Sequence, residues 1–313
     1  MPKVPAVSVE MMPLELPIVD CNGAFQLDDA VTLTKDGKPE LKGRVCKVQS
    51  KVYGVDRQPG LAMSIAITAG NLRDLAGGGF AGYAVRSDGN PRVSGTIRTP
   101  CQVKSPARLM DARALSQMLE TALDLIDRAA KQRKSDYVLQ WFGREAFDKA
   151  QMALIHMRCA DLLERASGLA RIVFQCASSE TLGAIDNTDP LRNGPVCRIR
   201  LGRGFTYDRY SWGERVCTII HEMTHWFLNT VDAELADGTP CYGAACLRLA
   251  KSGDKQQRLK ALNNADNWAY YICQYRSSND RNDWRFFSEA EIAGRGAFVP
   301  GGYNVVESMM AFH

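Results

Sequence analysis

The run from Ser211 to His225, Ser-Trp-Gly-Glu-Arg-Val-Cys-Thr-Ile-Ile-His-Glu-Met-Thr-His, constrains this chain more than any other stretch. Ser211 and Glu214 are spaced as a capping box, in which each side chain takes up the other residue's free backbone N–H, so a helix starts here. Val216-Cys-Thr-Ile-Ile220 is nearly all apolar, and the helix must therefore be buried. Yet it carries His221, Glu222 and His225. Residues i and i+4 share a helix face, so both imidazoles aim at one point, with Glu222 beside them. Polar groups buried on such a helix are costly without a partner. A zinc ion is the partner this pattern suits: it lowers the pKa of a bound water to about 7, and the adjacent glutamate takes the proton.

Two histidines do not complete the site, because a catalytic zinc has three protein ligands and an open position. Val231 stands where a metzincin has its third histidine, and no acidic ExxxD helix pattern follows at thermolysin-like spacing. The acids within reach are Asp232, Glu234 and Asp237, seven, nine and twelve residues past His225. Spacing alone leaves the three open.

Around this helix the chain divides in two. Residues 1–105 show short alternating runs, such as Val45–Tyr53 and Leu61–Ile67, between turn signals at Asp36-Gly37, Gly77-Gly-Gly79 and Asp88-Gly-Asn-Pro91. That is a β-rich pattern. The glycine-rich Leu75–Phe80 lacks the lysine and spacing of a phosphate loop and reads as a turn. After Pro106 the period becomes helical, with helices expected over Ala112–Lys131, from about Glu145 to Ser167, and from Trp212 to about Asn229. His156, inside the second, reads as a core or surface residue rather than a ligand. Arg171–Cys176 and Val196–Leu201 read as strands, with Asp186–Pro190 and Asn193–Pro195 as loop.

Composition narrows the functions. A net charge of +4 over 313 residues gives no reason to expect nucleic acid or a membrane surface as partner. No run of 18 apolar residues exists to span a membrane. The ten cysteines form no CxxC pair, which argues against a cysteine metal site. Their even number and scatter permit a disulfide, and Cys241 reads as a buried thiol or disulfide rather than a ligand.

The motifs resemble those of the aspzincin metallopeptidases, the deuterolysin and peptidyl-Lys metalloendopeptidase family. These have HExxH followed by Gly-Thr-x-Asp and then Tyr-Gly. Here Asn229-Thr-Val-Asp232 fits with Asn for Gly, and Tyr242-Gly243 follows after nine residues where the family has two. Asn also tolerates the positive φ of a helix C-terminus. Tyr137 to Gly143, ending Trp-Phe-Gly, and Asn264-Ala-Asp266-Asn-Trp268 are similar to two further family stretches, the first with one extra residue. The resemblance covers about residues 110–275. It implies His221, His225 and Asp232 as ligands of Zn2+, Glu222 as general base, and Tyr242 as donor to the oxyanion, with Asp237 the alternative third ligand. It implies for Asp266 a substrate-binding role, or that of a partner holding a ligand histidine. Ala269 replaces the glutamate that completes an acidic lysine pocket in peptidyl-Lys members.

The expected fold is α+β: a mainly helical zincin-type catalytic domain with a small sheet over residues 106–313, preceded by a β-rich N-terminal region over residues 1–105. The expected activity is zinc metalloendopeptidase, acting on a protein or peptide substrate. A zinc-binding but catalytically inactive protein on a peptidase fold is the alternative. The N-terminus has prolines and acids where a Sec signal needs a continuous apolar region. With an N-terminal region foreign to the family, that suits a bacterial effector or toxin exported by a non-Sec route, with a secretion-system or inhibitor partner. Otherwise the chain is expected in the cytoplasm.

Overall fold

A computed structural model describes residues 2–53, 57–70, 79–98, 109–146, 148–177, 179, 182–185, 194–207, 210–276, 298–299 and 303–304. The glycines at 77 and 78, the loop 186–190, Asn193 and most of the C-terminal tail lie outside these residues. The chain forms two compact units, one of residues 9–110 with 175–178, the other of residues 1–8, 111–174 and 179–313.

The first unit holds six strands: β2 (Leu14–Asn22), β3 (Ala30–Thr34), β4 (Leu41–Tyr53), β5 (Gln58–Ala69), β6 (Ala84–Ser87) and β7 (Ser94–Ile97). They close into an antiparallel barrel in the order β2-β5-β4-β3-β6-β7, sealed where Ile18 of β2 meets Ile97 of β7. Alternation builds it. Leu41, Gly43 and Val45 of β4 are buried, whereas Lys42 between the first two is exposed. Leu16, Ile18, Leu33, Val45, Met63 and Ile65 fill the interior. The Asp36-Gly37 turn joins β3 to β4, with Gly37 at φ 69° and Lys38 N–H donating to Lys35 O at 3.0 Å.

This barrel overturns the expectation of a mainly helical domain with a small sheet. The alternating N-terminal runs are not an accessory to a helical protein; they close on themselves and own one of its hydrophobic cores, so the fold is β-rich.

The second unit contains β9 (Gly183–Ala184) and β10 (Val196–Leu201), which with β1 (Ala6–Met11) and β8 (Arg171–Cys176), strands whose residues are divided between the two units, form a sheet in the order β1-β8-β10-β9. Its helices are α1 (Ala112–Lys131), α2 (Ser135–Phe142), α3 (Lys149–Ser167), α4 (Trp212–Leu228), α5 (Ala245–Ala250), α6 (Lys255–Ala261) and α7 (Ala265–Cys273). None is long and apolar enough to cross a membrane. α1 and α3 begin at aspartate caps, Asp111 and Asp148, and α1 buries the stripe Leu115, Met118, Leu119, Leu123 and Ile126. His156 of α3 is buried, with Nδ1 3.2 Å from Ala129 O. Two α3 arginines cap the end of α4: Arg158 donates to Leu228 O at 2.8 Å, and Arg165 donates to Phe227 O. Cys159, Cys176, Cys241, Cys246 and Cys273 are buried free thiols.

Arg258 of α6 is buried and grips Glu145 through Nε and Nη2, while Nη1 donates to Ser252 O at 2.5 Å and Gly253 O at 2.8 Å. The guanidinium holds the Glu145 carboxyl at about 2, against an ordinary 4.5. A carboxyl depressed in the folded state adds stability that is complete above its unfolded value and fades as pH falls toward the folded one. Glu145→Gln should therefore lower the melting temperature at pH 7, and the gap to the wild type should narrow between pH 4.5 and pH 2. A gap constant across that range in thermal melts would show that the ion pair contributes nothing.

Candidate metal centre

α4 is fixed at both ends. Ser211 Oγ accepts from Glu214 N–H at 3.2 Å, and Ser211 N–H donates to Glu214 Oε2 at 2.7 Å. Every residue from Ile219 to Leu228 is buried. The helix stops at Asn229, in the left-handed region at φ 54° and ψ 34°. Thr230 then turns inward, its hydroxyl 2.9 Å from that of Thr224. Val231 N–H donates to Asn263 O at 2.9 Å, and Ala265 N–H donates back to Val231 O at 3.0 Å. This short parallel bridge to the start of α7 returns Asp232 toward the histidines.

The result is a three-donor cluster. His221 Nε2 and His225 Nε2 are 3.0 Å apart, and Asp232 Oδ1 lies 3.3 Å from the first and 3.4 Å from the second. Both rings have their other nitrogen engaged. His221 Nδ1–H donates to Asp266 Oδ1 at 2.6 Å, and His225 Nδ1–H donates to Thr230 O at 2.7 Å. That fixes the tautomers, so both Nε2 lone pairs point at each other and at a carboxylate oxygen. Only a cation relieves such an arrangement. Tetrahedral zinc bonds of about 2.0–2.1 Å place neighbouring ligand atoms about 3.3 Å apart, the spacing seen here. Nitrogen, nitrogen and oxygen donors also suit zinc, and the residues fit the ion. The cluster opens through Asp232, whose side chain is 43% exposed, against 11% for His221 and 6% for His225.

Asp266 does more than hold His221. Its Oδ2 accepts from Gly243 N–H at 3.0 Å, so one buried carboxylate ties a ligand histidine to the Tyr242-Gly243 turn. Its side chain is buried, with one oxygen on His221 and the other on Gly243. The neighbouring asparagines act alike. Asn264 Oδ1 accepts from Ala233 N–H at 2.9 Å, and its Nδ2 donates to Cys241 O at 3.2 Å. Asn267 Nδ2 donates to Trp141 O at 2.5 Å and Cys246 O at 3.1 Å. Gly143 closes the Trp141-Phe-Gly turn at φ 77°, where a Cβ would stand 2.3 Å from Ala250 O.

Electrostatics agree with a cationic centre. Burial favours a neutral His221, but the Asp266, Asp232 and Glu222 carboxylates outweigh it and push its affinity for a proton well above that of an ordinary imidazole. Burial would raise the Asp232 carboxyl, yet the His221 and His225 rings facing it hold it far below the usual range. Glu222 is 3% exposed, and burial pushes its carboxyl up. Its Oε2 has no hydrogen-bond partner. Burial of Tyr242, with the Asp232, Asp266 and Glu222 carboxylates nearby, keeps its phenol protonated far above the normal range.

Asp237, the alternative third ligand, is exposed and accepts from Thr239 N–H at 2.9 Å, at the tip of a turn away from the cluster. Glu234 is exposed as well. Cys241 is a buried free thiol. Two contributors carry no sequence signal of their own. Asn267 acts through contacts with distant chain, and Gly183 of β9 through its closeness to Glu222.

No protein-family model matches the chain, and no curated protein matches it. A solved structure described as a zinc peptidase from Grifola frondosa is similar, at 17% identity and a TM-score of 0.39, over 52% of this chain and 93% of that one.

Because Asp266 orients His221, Asp266→Asn should weaken Zn2+ binding about 10–100-fold. Competition against a chelating dye reads this directly. Unchanged affinity would remove Asp266 from the support of the site.

Proposed function

We propose that the chain is a zinc-dependent metallopeptidase. The observation that carries this reading is the convergence of His221 Nε2, His225 Nε2 and Asp232 Oδ1 within 3.4 Å of one another, beside a buried glutamate with an unpartnered oxygen. His221, His225 and Asp232 would hold the ion, and a zinc ion there supplies a Lewis acid that acidifies water and polarises a carbonyl.

The chain's own groups do the rest. Glu222 takes the proton of the attacking water at its carboxylate and later gives it to the leaving amine. Its raised proton affinity brings it closer to the working pH, which suits both halves of that cycle. Tyr242 is half-buried next to Asp232 and keeps its proton, so its phenol can donate to the oxyanion as the carbonyl becomes tetrahedral. Asp266 holds the His221 ring and, through Gly243 N–H, the backbone beside Tyr242. Because that carboxylate is spent inside the protein and Ala269 offers no second acid, selectivity for lysine is not part of the proposal.

Cleavage of a mixed peptide library by the zinc-loaded protein tests the reading, beside Glu222→Gln at matched zinc content. Loss of the general base should cost about 10²–10⁴-fold in kcat. Equal cleavage by both proteins would sink the mechanism. Zinc bound with no cleavage by either would favour the inactive, zinc-binding alternative.

A further inference from the structure

Gly183 belongs to β9, the outermost strand of its sheet, and pairs with Leu201 of β10. It is buried. A Cβ built on it would stand 2.7 Å from Glu222 Oε1, 2.9 Å from Thr218 Cγ2 and 3.1 Å from Glu222 Cγ. Its φ is outside the left-handed region, so backbone conformation does not demand glycine here. Space does. All three atoms belong to side chains of α4, and two of them to one glutamate.

The other oxygen of that glutamate, Oε2, is buried without a hydrogen-bond partner. A carboxylate that lacks such an anchor is held by what it packs against. On one side that is the bare backbone of Gly183, with the Thr218 methyl next to it. We propose that Gly183 is a positioning residue: the sheet edge supplies a side-chain-free wall that sets where the Glu222 carboxylate stands beside the three-donor cluster. The consequence for turnover rests on the peptidase reading, whereas the contact itself does not.

A methyl group at 183 forces something to give. The Glu222 carboxylate is the far end of a flexible side chain and moves more cheaply than backbone, so the acid should shift while the fold survives. Proton transfer depends on its placement within hydrogen-bond reach of the reacting water. Gly183→Ala should therefore lower kcat at least tenfold, with KM and zinc affinity each within twofold of the wild type.

The test pairs that kinetic split with a double-mutant cycle in thermal stability, measured on zinc-loaded full-length protein. Gly183→Ala should lower the melting temperature when Glu222 is present and cost little in the Glu222→Ala background, where the opposing side chain is gone. A Gly183→Ala protein that folds only in the Glu222→Ala background supports the contact equally. An equal loss in both backgrounds, or unfolding in both, overturns the proposal. So does an unchanged kcat in a cleaving wild-type background. Coupling in the cycle with no cleavage by the wild type would support the contact and retire the peptidase reading separately.

Discussion

The centre depends on one buried carboxylate. Asp266 accepts from His221 Nδ1–H at 2.6 Å and from Gly243 N–H at 3.0 Å. The first contact fixes the tautomer of His221, and the second fixes the turn that carries Tyr242. On either side of it in the chain, Asn264 and Asn267 tie down Ala233, Cys241, Trp141 and Cys246. The start of α7 thus gathers separate stretches of chain by charge-assisted and amide hydrogen bonds inside a water-poor interior, where each bond is worth more than at the surface and each unpaired group costs more.

That interior also explains why the cluster calls for a cation. Two imidazoles locked as Nδ1–H tautomers offer only lone pairs to the space between them, and a carboxylate adds a third acceptor. A proton bridges one pair of acceptors at most, whereas a zinc ion, if bound, would be held by all three donors, His221, His225 and Asp232. Removing water from α4 raises the cost of leaving these groups uncompensated, so burial and ion binding reinforce one another.

What could be read from the sequence was local. The capping box of α4 needs only Ser211 and Glu214, and the histidine pair needs only a helix, so both are legible without tertiary information. The ends of α1, β8 and β10 follow from apolar period. Closure of the barrel does not: β2 meets β7 across more than seventy residues, and nothing in either run says that the sheet has no edge. Gly183 is illegible for the same reason, because its importance comes from a glutamate nearly forty residues away. The choice among Asp232, Glu234 and Asp237 lay between these extremes. Motif context favoured Asp232, and what brings its carboxylate beside the two histidines is the bridge from Val231 to Asn264, a contact between segments that share no local pattern.

The nine residues between Asp232 and Tyr242 show how a closed loop accommodates its length. They form a small hairpin: Glu234 bridges to Pro240, Leu235 N–H donates to Thr239 O at 2.9 Å, and Cys241 N–H donates to Ala233 O at 2.8 Å. The Asn264 side chain reaches both legs, Ala233 and Cys241, at its base. Lengthening a closed loop costs little, since the entropy of closure grows only with the logarithm of its length. The intervening residues therefore project outward to the exposed tip at Asp237, while Asn264 holds both legs at the base. Spacing in the sequence and separation in space become independent once both ends of a loop are held by the same buried asparagine.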